Sequence, residues 1–227
     1  YADLLVWIDA AVSGDQLVLA GDVFDFLVGR SHLFDRYSDF LDRLRQANDR
    51  GVRLHYIEGN HDVHLRRAFA RRVPQLQLHS EHVSFCVGER QLYVAHGDLA
   101  NPRDRGYRLW RSWVRSWPAR VFFSTLPGPW LERLGEKLSE LSRRQRGYQV
   151  IPEHGFAKIR PIYRSYAAEK AQRGFDYVVL GHCHDLDEIG FQIGTRTARY
   201  MNVGFPKSHR SFVACDETGI RRLPFPR

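Results

Sequence analysis

Four short stretches of the chain carry residue types that can hold a cation, and each follows an apolar run at once. Gly21-Asp22-Val23-Phe24-Asp25 comes directly after Leu17-Val18-Leu19-Ala20 and presents two carboxylates three residues apart. Gly59-Asn60-His61-Asp62, His96-Gly97-Asp98 and Gly181-His182-Cys183-His184 repeat the pattern of a β-rich run followed by Gly, His, Asn or Asp. Any one of them alone reads as an ordinary polar turn where a strand leaves a sheet. Together they supply carboxylates, an amide and imidazoles with no cysteine pair. Such hard oxygen donors mixed with imidazoles suit manganese, iron or zinc in a two-metal site better than a structural zinc site, which favours thiolates. Two cations a few ångströms apart need a shared anionic ligand, and Asp22, first in its motif and at a strand end, is the candidate for that bridge.

The elements between the motifs say how they are positioned. Leu4, Leu5, Ile8 and Val12 fall at helical spacing from Ala2 to Val12, with Ser13-Gly14 as the stop. Leu17 to Ala20 reads as a strand, Ser31 to Arg50 as an amphipathic helix and Val52 to Ile57 as the next strand. Strand, helix, strand predicts a parallel sheet with its ligand-bearing loops at the carboxyl ends. Val63 to Arg72 is expected to be helical up to Val73-Pro74, and Val83 to Val87 with Gln91 to Ala95 forms a hairpin that delivers His96. Pro152 to Arg173 reads as a helix and Asp176 to Leu180 as the strand that delivers His182. The remainder, Glu188 to Ile193, Arg199 to Val203, Ser211 to Cys215 and Ile220 to Leu223, suggests a second, mainly antiparallel sheet.

Residues 101–150 differ in kind. They hold four of the five tryptophans (Trp110, Trp113, Trp117 and Trp130) and eleven Lys and Arg against four Asp and Glu, so nearly all of the chain's +8 excess sits there. Pro118, Pro127 and Pro129 divide the segment into short helices. A helical insertion packed on the core is the plain reading. A basic, aromatic-rich excursion between two ligand motifs also has the composition of a lid over an amphiphilic, anionic substrate. The expected organisation is therefore a core of 1–100 and 151–227 interrupted by a helical lid at 101–150.

With 227 residues and 43% apolar content the chain can bury a substantial core. Its positive balance favours an anionic partner: phosphate, nucleic acid or an acidic lipid surface. Cys86, Cys183 and Cys215 are odd in number and lack CxxC spacing, which argues against a disulfide framework and for a reducing, cytoplasmic setting. No window approaches the roughly 20 apolar residues of a spanning helix. His32, His55, His64, His79, His82, His154 and His209 fall outside the motifs and are expected in packing or surface roles. Cys183, flanked by two ligands, points the other way in an extended segment. Asp62 and Asp98 are placed to support ligands by hydrogen bonds.

As an ordered set, GDxxD, GNHD, HGD and GHxH resemble the signature of the calcineurin-like metallophosphoesterases, covering the chain from Gly21 to His184. The resemblance implies an α/β fold, a four-layer α/β/β/α sandwich with a helical lid insertion, and a dinuclear metal-dependent phosphoesterase. It implies that Asp22 bridges two divalent ions, that Asn60, His96 and His182 complete one site, and that His184 belongs to the other. His61 would meet the phosphate oxygens or leaving group, and Asp25 would orient it in its protonated, donating form. The family also opens on a strand ending in Asp-x-His, which supplies two ligands to the metal of His184. Asp3 and Asp9 have no histidine two residues on, so that strand is expected upstream of Tyr1, in keeping with Met201 as the only methionine. A molecule truly without it should bind that metal weakly and turn over poorly.

Within the superfamily the chain is most similar to the UDP-2,3-diacylglucosamine pyrophosphatases of lipid A biosynthesis. The points of similarity are the run from Gly21 to Gly29, the single excursion between HGD and GHCH, and Asp104-Arg105-Gly106-Tyr107 after the third motif. The likeness implies cleavage of UDP-2,3-diacylglucosamine to UMP and the acylated sugar 1-phosphate, with manganese as first choice and iron or zinc as alternatives. Asn60, Asp104 and Tyr107 would line the substrate site and Ser142 would match a lid serine. Arg146, with Arg108, Arg111 and Arg115, would meet phosphates or an anionic membrane surface, giving a peripheral protein on the inner membrane. His61 departs from the arginine those enzymes carry. Two rivals stand beside this reading: a phosphodiesterase or phosphatase acting on nucleotides or nucleic acid, and a non-catalytic binding protein with a degenerate metal site.

Overall fold

The computed structural model describes residues 2–24, 27–28, 35–126, 130 and 153–226, without the side chains of 27–28 and 153–155. Helix α1 (Ala2–Ala10) leads through the Ser13-Gly14 turn into β1 (Gln16–Leu19). A two-residue strand β2 (Leu27–Val28) follows, then α2 (Ser38–Asp49), which buries Phe40, Leu41, Leu44 and Ala47 along one face. Strand β3 (Arg53–Ile57) lies parallel to β1 with Leu19 opposite Tyr56. The stretch expected to be helical from Val63 starts later: Asp62–Val63 is strand β4, parallel to β2, and α3 runs Arg66–Arg72. Strand β5 (Gln77–His79) completes a parallel sheet of order β1-β3-β5. Its three residues are too few for any periodicity to show.

The second sheet has the order β6-β7-β8-β10-β9, from β6 (His82–Val87), β7 (Arg90–Ala95), β8 (Tyr177–Leu180), β9 (Glu188–Ile193) and β10 (Arg196–Asn202). The four C-terminal strands expected to form one antiparallel sheet do pair antiparallel, but as two separate pairs: β9 and β10 join this mixed sheet, and the other two form a pair of their own. Strand β8 lies parallel to both β7 and β10, and only the two outer pairs are antiparallel. Helices α4 (Arg105–Val114), α5 (Trp117–Thr125) and α6 (Glu153–Gln172) lie in sequence between β7 and β8. A short helix α7 (Pro206–His209) and the antiparallel pair β11 (Ser211–Asp216) and β12 (Gly219–Pro224) close the fold.

Strand alternation sorts the apolar residues into three cores, and three cores make four layers. Leu17 and Leu19 of β1 and Leu54 and Tyr56 of β3 face α1, α2 and α3. Val18, Ala20 and Ile57 face the opposite way and meet Leu92, Val94, Val179 and Met201 between the two sheets. Tyr93, Ala95, Val178 and Leu180 face out again, against Tyr163 and Ala167 of α6. This is the α/β/β/α sandwich. Val114, Ala119 and Phe123 of α4 and α5 join the first core, so these two helices pack on it as plain structural elements would. Among the described residues no helix is long and apolar enough to cross a membrane.

Asp176, just before β8, ties the second sheet together. Its buried carboxylate accepts from the Gln91 N–H (2.9 Å) and from Arg196 (3.0 Å). Burial would raise its pKa, but the Gln91 N–H and Arg196 outweigh burial and hold it below 3.8. A depressed carboxylate stabilises the fold above its unfolded value and loses that contribution as pH falls through the folded value. Asp176→Asn is therefore expected to cost about 2 kcal/mol at neutral pH, the scale of a charged hydrogen bond. Urea unfolding at neutral pH and again below 3.8 should show that gap narrowing in acid; an equal gap at both would refute it.

Candidate metal centre

All four motifs sit where parallel strands end. Gly21-Asp22 follows β1, Gly59-Asn60-His61 follows β3 and His182 follows β8 each after one intervening residue, and His96 follows β7 directly. The strands β1 and β3 are neighbours in one sheet and β7 and β8 in the other, so two pairs of carboxyl ends meet at one edge of the sandwich. The sheets are stitched there directly. His96 Nδ1 donates to the Ala20 carbonyl at 2.8 Å, and the Gly181 N–H donates to the His96 carbonyl at 2.9 Å.

Because a carbonyl can only accept, the Ala20 bond puts the His96 proton on Nδ1 and turns Nε2 inward. That Nε2 lies 3.3 Å from Asp22 Oδ2, 3.2 Å from Asn60 Oδ1 and 2.9 Å from His182 Nδ1. Donor atoms about 3 Å apart are what ligands sharing one cation at about 2.0–2.2 Å require. The ligand atoms of Asp22, His96 and His182 all fall within 4.8 Å of one another, the one such cluster of His, Cys and carboxylate groups among the described residues. A carboxylate, an amide oxygen and two imidazoles fit a divalent metal.

Electrostatics agree with that fit. Burial alone would raise the Asp22 carboxyl, yet His96, His61 and His182 outweigh burial and hold it well below the usual carboxylate range. Burial would depress His96, but Asp22 and Asp98 lift it to about 9. A cation competes with the proton for the same lone pair, so a site that binds H⁺ this strongly is one where a divalent ion releases protons on entering. Asp62 is fully buried, and burial together with Asp22 pushes it up to about 8, against the opposing effects of Tyr56, His96 and the Gly59 N–H. It accepts from the Val23 N–H (3.2 Å), the Gly59 N–H and the Tyr56 hydroxyl, so one carboxylate holds the first two motif loops together.

Backbone conformation concentrates here as well. Five described non-glycine residues have positive φ, and three of them are Asp22 (52°), His182 (67°) and His184 (59°). Left-handed backbone is disfavoured for any residue with a Cβ and persists where the surroundings over-determine it, typically at functional sites.

Not all of the sequence-predicted residues meet at one point. Asp22, Asn60, His96 and His182 converge. The His61 N–H donates to Asp22 Oδ1 at 2.9 Å, which places it in the same loop cluster. His184 is not in the three-residue cluster; its ring stacks on Phe205 with centroids 4.6 Å apart. The Tyr107 hydroxyl donates to Asp98 at 2.6 Å, beside His96, and its ring lies 6.4 Å from that of His182. Asp104 is the N-cap of α4, accepting from the Tyr107 N–H at 2.9 Å. Asp25, Ser142 and Arg146 lie outside the described residues. Cys183 accepts from Asn202 through Sγ at 3.1 Å, and burial pushes its thiol up to about 12, which leaves it unreactive packing.

Two arginines assigned from sequence to phosphates or membrane are spent on the protein itself. Arg111 donates to Asp98 (2.6 Å), while Arg115 donates to Glu58 Oε2 (3.1 Å) and to the carbonyls of Glu58 and Gly59 (both 2.9 Å). They bolt α4 to the second and third motif loops. A positive charge in sequence carries no record of its partner. Glu58 was missed for the same reason, although its place directly before Gly59-Asn60-His61-Asp62 could have flagged it. Asn60 and Val63 on one side and Tyr107, Trp110, Arg111 and Arg115 on the other line a small pocket beside the cluster.

Converging oxygen and imidazole donors at the parallel-strand ends of a two-sheet sandwich define a metal-dependent phosphoesterase centre. The chain belongs to the calcineurin-like phosphoesterase family, whose model matches residues 1–186. It is 27% identical over 176 residues to a UDP-2,3-diacylglucosamine hydrolase of Neisseria meningitidis serogroup B, covering 77% of this chain and 70% of that protein. A UDP-2,3-diacylglucosamine hydrolase of Pseudomonas paraeruginosa is 26% identical over 218 residues, covering 96% and 88%. Among solved structures an archaeal phosphodiesterase aligns over 92% of this chain and 82% of its own with 9% identity and a TM-score of 0.39, too loose a superposition to carry any argument.

Proposed function

We propose that this phosphoesterase cleaves the pyrophosphate of UDP-2,3-diacylglucosamine, releasing UMP and 2,3-diacylglucosamine 1-phosphate. One observation carries the reading: a single helix, α4, joins the metal cluster to an exposed apolar face. Tyr107 reaches Asp98 beside His96, while Leu109, Trp110 and Trp113 on the same helix remain 73%, 48% and 47% exposed. Trp110 and Trp113 stack at 5.3 Å, and Trp117 and Phe122 of α5 extend the exposed surface. A substrate with phosphates at one end and acyl chains at the other matches that pairing, as do the names of the relatives.

In this reading Asn60, His96 and His182 would hold one divalent ion, Asp22 would be shared with a second and His184 would belong to that second ion, manganese being the first choice. Two such ions, when bound, acidify a water and offset the charge that builds on the phosphoryl group. His61, held by its N–H on Asp22, supplies a proton to the departing oxygen, and Asp25 orients it. Asn60, Asp104 and Tyr107 would line the substrate site, with Ser142 matching a serine that contacts the glucosamine end and Arg146 meeting phosphate. The basic, aromatic segment 101–150 covers the acyl chains and rests on an anionic membrane surface, in keeping with a peripheral place on the cytoplasmic face of the inner membrane.

The test is direct. Purified protein with Mn²⁺ is expected to release UMP from UDP-2,3-diacylglucosamine and to stop on chelation. Inertness toward this substrate alongside brisk cleavage of a plain phosphodiester would overturn the proposal in favour of the nucleotide phosphodiesterase reading.

A further inference from the structure

The segment after β8 holds His182 and His184 in left-handed backbone, at φ 67° and 59°, with only Cys183 between them. Histidine tolerates this conformation better than most residues with a Cβ, but it remains uncommon. The segment's single internal backbone bond is a tight one, from the Cys183 N–H to the Gly181 carbonyl at 2.8 Å. That bond closes a tight turn on His182 alone, and uncommon backbone of this kind persists where the surroundings over-determine it.

Two arginines on α6, one helical turn apart, supply that constraint. Arg160 grips Asp185 through Nε at 2.6 Å and a second guanidinium nitrogen at 3.0 Å. Arg164 grips Asp187 in the same two-pronged way, at 2.9 Å and 2.5 Å. Both carboxylates are buried, at 4% and 5% exposure. A buried carboxylate is costly unless paired, so Asp185 and Asp187 are bound to follow the two guanidinium groups wherever α6 places them. From the sheet side, fully buried Asn202 donates to the Gly181 carbonyl at 3.0 Å and to Cys183 Sγ, and its own N–H meets the Asp187 carbonyl at 2.9 Å. The ligand segment is thus held on both sides between residues 181 and 187.

We infer that Arg160 and Arg164 are positioning residues for the metal centre, fixing through Asp185 and Asp187 the geometry in which His182 and His184 are presented. The inference rests on the metal-centre reading above. Lysine keeps the charge but cannot form the planar two-pronged contact, so a conservative substitution isolates the geometry. The exposed pair Arg173 and Glu169 near the end of the same helix (2.6 Å) touches no motif and serves as a control.

The experiment compares wild type, Arg160→Lys, Arg164→Lys, the double variant and Arg173→Lys by calorimetric Mn²⁺ titration, thermal unfolding and Mn²⁺-dependent hydrolysis. The double variant is expected to lose about 10- to 100-fold in Mn²⁺ affinity, as loss of residues supporting metal ligands generally does. Its hydrolysis rate should recover as Mn²⁺ is raised to saturation, and Arg173→Lys should match wild type throughout. A lowered unfolding temperature with unchanged Mn²⁺ affinity would reduce the forks to structural pairs and overturn the inference. Should the double variant fail to fold, Asp185→Asn, which keeps the shape and removes one charge, is read in the same way. Wild type that binds no Mn²⁺ at all would instead sink the metal-centre reading.

Discussion

Replacing Asp22 by Asn is expected to lower metal-dependent hydrolysis about a thousandfold or more while leaving the fold intact. The substitution is chosen for what it spares. Asp22 Oδ1 accepts from the His61 N–H at 2.9 Å, and an amide oxygen in the same place can still accept. What disappears is the negative charge beside His96 Nε2, 3.3 Å away. A bound divalent ion is worth several kcal/mol of charge stabilisation in phosphoryl transfer, and each ~1.4 kcal/mol is tenfold in rate. Stability in chelator should fall modestly, because the histidines that hold the Asp22 carboxyl below its usual range lose their charged partner, a loss partly offset by relief of the repulsion that helps push Asp62 up to about 8. Calorimetric Mn²⁺ titration, hydrolysis rates and thermal unfolding of the two proteins in chelator check the three parts. A variant that still binds Mn²⁺ tightly and hydrolyses at more than a tenth of the wild-type rate would remove Asp22 from the centre of the site.

Most of the site was legible because strand, glycine and ligand are consecutive in sequence. Asp22, Asn60, His96 and His182 each stand within three residues of the strand that delivers them. The parallel first sheet followed from the strand, helix, strand order through β1, α2 and β3. Pairings between distant segments were not legible. Nothing local tells β8 that its neighbours are β7, over 80 residues earlier, and β10, so the C-terminal strands read as one antiparallel sheet divide between a mixed sheet and a separate pair. Val63 opens a stretch that reads as helical to Arg72, yet this β-branched residue pairs with Val28 in a two-residue strand and α3 starts only at Arg66. Ion pairs hide for the same reason. Arg115 and Glu58 are 57 residues apart, and only the fold reveals that the arginine of an apparently basic surface is holding a motif loop. The pair Arg160 and Arg164 was closer to readable, since four residues on a helix is one face, and Asp185 and Asp187 sit immediately beyond the fourth motif.

Gly59→Ala is expected to cost about a hundredfold in hydrolysis, though the added group is one methyl. A Cβ at Gly59 would stand 2.1 Å from Asp22 Oδ1 and 2.6 Å from the Asp22 backbone nitrogen. The carboxylate oxygen could swing aside, but only by leaving the position from which it faces His96. The backbone nitrogen has no such freedom, since Asp22 is flanked by Gly21 at φ 81° and by Val23, whose N–H is fixed on Asp62. Gly59 is itself pinned, donating to Asp62 and accepting from Arg115 at 2.9 Å. The two loops must therefore separate, and displacing a catalytic group by about 1 Å costs on the order of 10²-fold. Gly14→Ala provides the contrast. Gly14 has φ 94° and a Cβ there would meet nothing within 4 Å, so alanine strains the backbone by about 1–2 kcal/mol and touches no motif. Its activity should match wild type with a modestly lowered unfolding temperature, whereas Gly59→Ala should lose rate and Mn²⁺ affinity together. Equal activity in the two variants would mean that the close approach of the first two motif loops is not what shapes the centre.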